Sequence, residues 1–124
     1  MNPSQPLQKP RIGLTLGDVN GIGPEVVIKA LADPRLLNVI TPVVYGSTRV
    51  LSYYRKLLGF EEFNYSQVKT KGQFFPKAVN VVNCWEEEIR ITPGQPAKEA
   101  GHAALMGLHK VVQDVKEGLL DGFV

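Results

Sequence analysis

This chain of 124 residues contains one cysteine and two histidines, has no long apolar run and carries a formal net charge of only +2. The single cysteine, Cys84, cannot form an internal disulfide, and no Cys/His spacing typical of a zinc site is present. No stretch approaches about 18 apolar residues, so no membrane-spanning helix is expected. The 14 basic and 12 acidic residues form no dense basic run, which argues against nucleic acid as a partner. A cytoplasmic protein that uses neither a membrane nor nucleic acid is expected.

The apolar residues that are present alternate between strand-like and helix-like patterns. Strands are predicted at residues 11–16, 41–45, 78–84 and 119–124, and helices at residues 24–32, 48–58 and 97–117. Residues 60–77 have no clear period and leave room for one short strand, and residues 86–91 fit either a strand or an exposed loop. This alternation predicts a three-layer α/β/α fold with a mostly parallel sheet and right-handed crossovers.

Each predicted helix has an apolar face that is expected to pack against the sheet. These faces comprise Val26, Val27, Ala30 and Leu31 in the first helix, Val50, Leu51, Tyr54, Leu57 and Leu58 in the second, and Ala100, Ala104, Leu105, Leu108, Val111, Val112 and Val115 in the third.

The two ends of the chain differ in character. Residues 1–10 are polar and contain proline, which predicts a flexible leader before a domain that occupies residues 11–124. The chain ends on the apolar pair Phe123 and Val124, with no turn or solubilising residue after them. We therefore expect the last strand to be interrupted and the fold to be incomplete.

A glycine-rich segment joins the first predicted strand to the first predicted helix. Gly17, Gly21 and Gly23 permit sharp turns and a close backbone approach, and Pro24 suits the first helical position. Amide groups at such a helix start can face an anion such as a phosphate. The spacing fits neither the GxGxxG fingerprint nor a P-loop. These residues alone are compatible with two interpretations of the segment: a ligand-binding loop, or only a tight connection between strand and helix.

The stretch LTLGDVNGIGPEVVIKAL resembles the N-terminal signature of the 4-hydroxythreonine-4-phosphate dehydrogenases, enzymes of vitamin B6 synthesis. The matching residues are Asp18, Gly21, Ile22, Gly23, Pro24 and Glu25. Val19 and Asn20 stand where the family pattern has Pro-Ala. The shorter GIGPE core is also shared with isocitrate and isopropylmalate dehydrogenases, so it does not separate the families.

A second segment favours the vitamin B6 family. TPGQPAKEAGHAA, residues 92–104, is similar to that family's Gly-Gln/Lys segment and following helix, with matches at Gly94, Gln95 and Gly101. The ending LLDGFV resembles the strand that leads into the family's Thr-Ala/Gly-Pro-x-x-Lys segment. The resemblance therefore extends from Arg11 to Val124 and stops before that next motif.

The resemblance implies an NAD- or NADP-dependent homodimer that oxidises and decarboxylates 4-hydroxy-L-threonine phosphate. It also implies a divalent metal, zinc, magnesium or cobalt, bound by three histidines that lie beyond this sequence, one of them from the partner subunit. The chain is then an N-terminal part that ends before the metal-binding region and is inactive alone, with no catalytic or metal-binding residue. The residues expected near the cofactor are Asp18, Asn20, Gly21, Ile22 and Gly23.

Other polar residues are better explained by structure than by chemistry. His102 and His109 are seven residues apart on one predicted helix, which places them about 10 Å apart along its axis, too far to share a metal unaided. Asp18 suits a loop-bracing role and Glu25 complements the helix dipole. The run at residues 86–88 (Glu-Glu-Glu) is expected to be an exposed charged stretch, and Trp85 to pack in the core.

Two alternatives remain. The chain could be a complete α/β module that binds a nucleotide or a partner without catalysis. It could also belong to a β-decarboxylating dehydrogenase that acts on isocitrate or isopropylmalate, since the glycine-rich core is common to those enzymes.

Overall fold

A computed structural model describes residues 9–86 and 89–124. In that part of the chain the strands are β1 (Arg11–Thr15), β2 (Thr41–Gly46), β3 (Ser66–Gln67), β4 (Asn80–Asn83) and β5 (Gly122–Phe123). The α-helices there are α1 (Gly23–Leu31), α2 (Thr48–Leu58) and α3 (Lys98–Lys116), and a 3₁₀ turn spans Pro34–Asn38. The five strands form one sheet in the order β3-β4-β2-β1-β5. Every recorded strand pair is parallel, so the predicted α/β fold is confirmed.

Strand β2 is the centre of the fold, and all six of its residues are buried. Successive side chains of a strand point to opposite faces of a sheet. Val44 accordingly packs in a cluster with residues of α1 and α2, whereas Val43 and Tyr45 pack with Val111 of α3. The helices therefore cover both faces, which gives the predicted three layers and explains why β2 has no polar face.

Helix α1 packs through a face slightly different from the predicted one. Its buried residues are Pro24, Val27, Ile28 and Leu31. Val26 is 55% exposed and Ala30 is also exposed, so the prediction was wrong for these two. The true face follows the i, i+3, i+4, i+7 spacing that starts at Pro24, and this spacing includes Ile28.

Helix α2 begins and ends where its sequence predicts. The Ser47 hydroxyl accepts a hydrogen bond from the Arg49 amide at 3.1 Å and caps the first turn. Gly59, at φ +75°, ends the helix in the left-handed conformation that glycine adopts without strain. Val50, Leu51 and Tyr54 are buried as expected, and Leu58 is partly buried against the core. Leu57 is 59% exposed, because it lies at the edge of the predicted stripe, and its placement in the core was wrong.

Helix α3 packs through smaller residues than predicted. Its buried residues are Ala100, Ala103, Gly107, Val111 and Asp114. Leu105 and Leu108 are 50% and 44% exposed, which contradicts their predicted placement on the packed face. A Cβ on Gly107 would lie 3.4 Å from the Tyr45 carbonyl oxygen. The helix backbone therefore lies directly on β2, where a larger side chain would hold it away.

The remaining segments are mostly irregular. Within residues 60–77 the only strand is β3, as the sequence left room for, and the described residues of 86–91 form no strand. Most of the predicted leader lies outside the described residues, as do positions 87 and 88. Lys9 and Pro10 are bonded to the folded body, through Lys9 Nζ to the Leu37 carbonyl and the Thr41 amide to the Pro10 carbonyl. No helix in the described ranges is long and apolar enough to cross a membrane.

Candidate functional site

The glycine-rich loop, residues 17–23, lies at the carboxyl end of β1. In parallel α/β sheets ligands bind beyond the carboxyl ends of the strands, close to the helix starts that follow them. The loop leads directly into α1, whose first turn contains Pro24 and has no side-chain cap. The first amide groups of a helix have no acceptor within the helix, so this end of α1 can face an anion.

The structure explains the glycine at each of the three loop positions differently. Gly17 has φ +69°, a conformation that other residues adopt only with strain. At Gly23 a Cβ would lie 1.9 Å from the Leu16 carbonyl oxygen, so any side chain would clash with the chain's own backbone. At Gly21 a Cβ would be no closer than 3.4 Å to its nearest neighbour, the Asp18 carbonyl oxygen. The fold itself therefore requires Gly17 and Gly23 but not Gly21.

Asp18 braces the loop from within. Its carboxylate accepts a hydrogen bond from the Asn20 amide at 2.8 Å, and its carbonyl accepts one from the Gly21 amide at 2.9 Å. This is the Asx-turn geometry that aspartate favours in loops. The side chain is exposed, as its loop-bracing role allows.

Asn20 connects the loop to the second motif segment. Only 3% of the residue is exposed. Its Oδ1 accepts from the Thr92 amide at 2.7 Å, and its Nδ2 donates to the Gln95 carbonyl at 3.0 Å. Its carbonyl accepts from the Gly94 amide at 2.7 Å. The two segments that carry the family resemblance are thus in direct contact, which the sequence did not reveal.

Gly21 and Ile22, directly before α1, are exposed. Ile22 is 76% exposed, although a large apolar side chain is usually covered. Upstream of this pair the chain is held, since Val19 is fully buried and its carbonyl accepts from the buried Tyr54 hydroxyl. Glu25 pairs with Lys29 at 2.8 Å on the helix surface, so its carboxylate is engaged away from the loop. An apolar side chain and a bare backbone are therefore presented side by side.

A separate polar cleft of about 460 Å³ lies beyond β2 and β4. Its lining includes Ser47, Thr48, Asn83, Trp85 and Glu86, and no residue of the glycine-rich loop. The Asn83 amide oxygen accepts from the Thr48 amide at 2.8 Å, and Ser47 caps Arg49. These side chains already serve the start of α2, so the cleft offers fewer unused polar groups than its lining suggests.

The remaining polar candidates are dispersed. His102 and His109 are both exposed on α3, and Trp85 is 9% exposed and packs in the core, as predicted. Within residues 9–86 and 89–124 no three His, Cys, Asp or Glu side chains are grouped so that they could hold a metal ion. The described residues therefore do not fit a divalent metal, and no chemical step through a metal follows from them.

A buried pair that the sequence gave no sign of lies under α3. The Tyr45 hydroxyl donates to Asp114 Oδ2 at 2.6 Å, and Asp114 is 2% exposed. Asp114 Oδ1 has no hydrogen-bond partner. Burial, followed by the bond to Asp114, raises the pKa of Tyr45. The pair fixes α3 to the central strand and lies away from the glycine-rich loop.

Burial of Cys84 predicts a loss of stability in alkali. Burial raises the pKa of the thiol from its ordinary value of 9.0 to about 12. Above pH 9 the unfolded thiol loses its proton while the folded one keeps it, so the stabilising contribution present below pH 9 is lost as the pH approaches 12. The free energy of unfolding should fall by up to about 1.4 kcal/mol per pH unit from this group.

Urea unfolding at several pH values between 8 and 11 would measure this slope in the wild type and in Cys84→Ala. The variant should show a shallower slope, whatever its absolute stability. The raised pKa of Tyr45 also lowers the free energy of unfolding as the pH rises, but its main causes, burial and the bond to Asp114, are the same in both proteins. Equal slopes would show that the thiol ionises equally readily in the folded and unfolded chains.

Comparison with known proteins finds relatives that carry the name of one of these families. No protein-family model matches the sequence. The chain is 41% identical over 116 residues to a 4-hydroxythreonine-4-phosphate dehydrogenase of Bacteroides thetaiotaomicron. The aligned residues are 94% of this chain and 32% of that protein. The predicted resemblance to 4-hydroxythreonine-4-phosphate dehydrogenases is confirmed. The chain spans about a third of the length of these curated relatives.

Other similar proteins agree on the fold and broaden the substrate question. The crystal structure of a 4-hydroxythreonine-4-phosphate dehydrogenase from Burkholderia phymatum superposes with a TM-score of 0.77 at 24% identity, over 93% of this chain and 35% of that one. A Clostridium botulinum protein provisionally named D-threonate 4-phosphate dehydrogenase is 31% identical over 120 residues, which are 91% of this chain and 34% of that protein. Both named substrates are small phosphorylated molecules.

Proposed function

We propose that the chain is the N-terminal part of an NAD- or NADP-dependent 4-hydroxythreonine-4-phosphate dehydrogenase. The whole enzyme would oxidise and decarboxylate 4-hydroxy-L-threonine phosphate during pyridoxal 5'-phosphate synthesis in the cytoplasm. The observation that carries the proposal is the 41% identity over 94% of this chain to a protein of that name. The same observation disfavours isocitrate or isopropylmalate as the substrate.

In this proposal the glycine-rich loop contributes to the cofactor site. Gly21 offers bare backbone for a close approach, and exposed Ile22 offers apolar surface to a flat ring. The start of α1 beside them, together with the backbone of Gly23, faces negative charge favourably. Asp18 and Asn20 act indirectly, because the carboxylate of one and the amide of the other are bonded to the chain itself.

The chemistry would be completed by sequence that this chain does not contain. The divalent metal, zinc, magnesium or cobalt, would polarise the alcohol and the ketone, which is the electrostatic contribution expected of such an ion. Its histidine ligands and the second subunit of a homodimer would lie outside these 124 residues. The chain by itself is therefore expected to be inactive.

An assay of cofactor reduction tests the proposal. The 124-residue chain should give no reduced cofactor above background with 4-hydroxythreonine phosphate and added metal, whereas a version extended to the relatives' length should be active. Turnover by the short chain would contradict the assignment of catalysis to missing sequence. Activity of the extended protein on isocitrate or isopropylmalate alone would assign it to the other dehydrogenases.

D-Threonate 4-phosphate is the second candidate substrate, because of the 31% identity to the Clostridium botulinum protein. Comparing kcat/KM for the two phosphorylated substrates in the extended protein would separate them. A higher value for 4-hydroxythreonine phosphate is expected from the closer relative. If neither substrate were turned over while the short chain bound a nucleotide and unfolded cooperatively, the chain would be better described as a binding module.

A further inference from the structure

The glycine-rich loop is attached to a distant turn through one residue, Asn20. Asn20 uses all four of its polar groups, and three of them bond to the turn at residues 92–95, which is more than 70 residues away in sequence. The turn is itself closed by a hydrogen bond from the Gln95 amide to the Thr92 carbonyl at 3.0 Å. The loop is therefore held against a formed turn and not against a free chain.

The geometry requires an amide and not merely a polar side chain. Oδ1 accepts from the Thr92 amide while Nδ2 donates to the Gln95 carbonyl. Aspartate would keep the acceptor but set a carboxylate oxygen against the Gln95 carbonyl oxygen, and alanine would lose both bonds. Because the residue is 3% exposed, water cannot easily replace what is lost.

The clamp lies directly before the exposed pair Gly21 and Ile22. Tyr54 holds the Val19 carbonyl and Asn20 holds the turn, so the chain is fixed immediately upstream of the pair. Glycine in a loop otherwise has wide conformational freedom, and fixing it in advance reduces the ordering cost of binding a ligand. Val19 and Asn20 stand where the family pattern has Pro-Ala, so a conformationally restricted proline is absent here.

We propose that Asn20 is a positioning residue, which fixes Gly21 and Ile22 for the cofactor by clamping the glycine-rich loop to the turn at residues 92–95. The proposal rests on the proposed function for the identity of the ligand. The clamp itself does not depend on that function.

Amide hydrogen exchange on the 124-residue chain tests the clamp without any activity. Asn20→Ala should speed exchange of the Thr92 amide, which loses its acceptor, by about tenfold or more, and should also speed exchange at Gly21 and Gly94, while amides in the middle of α3 change much less. The exchange rates in Asn20→Asp should lie between those of the wild type and those of Asn20→Ala, because aspartate keeps the acceptor for Thr92. The matched control is Asn64→Ala, an exposed asparagine that bonds only the nearby Glu62 carbonyl and should leave the loop unchanged.

Two outcomes would overturn the clamp. Loop exchange could be unchanged in Asn20→Ala, or all amides could speed up equally, which would make Asn20 only a contributor to global stability.

In the extended protein the positioning role predicts a KM for NAD or NADP raised about tenfold or more in Asn20→Ala, with kcat changed less. A selective exchange effect without a change in KM would retain the clamp but contradict its role for the cofactor. Absence of wild-type activity would contradict the proposed function instead.

Discussion

Replacing Tyr45 with phenylalanine is expected to lower the free energy of unfolding by about 3 kcal/mol. The substitution removes the hydroxyl that donates to Asp114 Oδ2 and keeps the ring in place. Asp114 Oδ1 has no hydrogen-bond partner, so its buried carboxylate would then lack any hydrogen bond from a side chain. An ionisable group left buried in this way costs more than the bond alone is worth, because its desolvation is no longer offset.

Urea unfolding of three variants would separate this cost from the loss of an ordinary hydroxyl. Tyr54→Phe is the matched control, since that buried hydroxyl donates to the neutral Val19 carbonyl, and it should cost about 1 kcal/mol. Adding Asp114→Leu to Tyr45→Phe should recover part of the stability, because the orphaned carboxylate is removed with its donor. A Tyr45→Phe variant as stable as Tyr54→Phe would show that Asp114 is satisfied in another way.

Helix and strand positions were predictable because they depend on local signals. The Ser47 cap, the Gly59 stop and the proline at the start of α1 each act within a few residues, and the predicted bounds of the second helix, 48–58, agree with the structure. The parallel sheet followed from the alternation of elements. These features need no knowledge of distant partners.

The packed face of α3 was not predictable from periodicity alone. Apolar residues at helical spacing correctly included Ala100 and Val111 but also Leu105 and Leu108. The structure buries Gly107 and Asp114 on the packed side instead of these two leucines. That choice depends on how closely the helix approaches β2 and on Tyr45 as the partner of Asp114, neither of which the helix sequence contains. Small residues at helical spacing, Ala100, Ala103 and Gly107, mark this face in the sequence.

The candidate site was predictable in position but not in its internal connections. The glycine-rich loop lies beside the start of α1 at the carboxyl end of β1, where its pattern placed it. The clamp between Asn20 and the turn at residues 92–95 joins residues more than 70 positions apart through a side-chain amide. No single-sequence pattern encodes such a bond. It became visible only when the fold brought the two motif segments together.

Replacing Gly23 with alanine is expected to lower the free energy of unfolding by about 3 kcal/mol, the most of any glycine in the loop. The new Cβ would lie 1.9 Å from the Leu16 carbonyl oxygen, and a backbone atom cannot rotate away as a side chain can. Gly17→Ala should cost about 1 kcal/mol, because it only forces alanine into φ +69° with no atom nearby. Thermal and urea unfolding of each variant would measure these differences.

Gly21→Ala completes the series and separates an effect on folding stability from an effect on ligand binding. Its Cβ would meet nothing closer than 3.4 Å, so its stability should stay within about 0.5 kcal/mol of the wild type. If Gly21 serves a close approach of the cofactor, the same variant of the extended protein should bind NAD or NADP more weakly despite folding normally. Equal losses of stability at all three glycines would contradict this division. Unchanged cofactor binding in Gly21→Ala would leave the loop as a tight strand-to-helix connection, because its other two glycines are already required by the backbone.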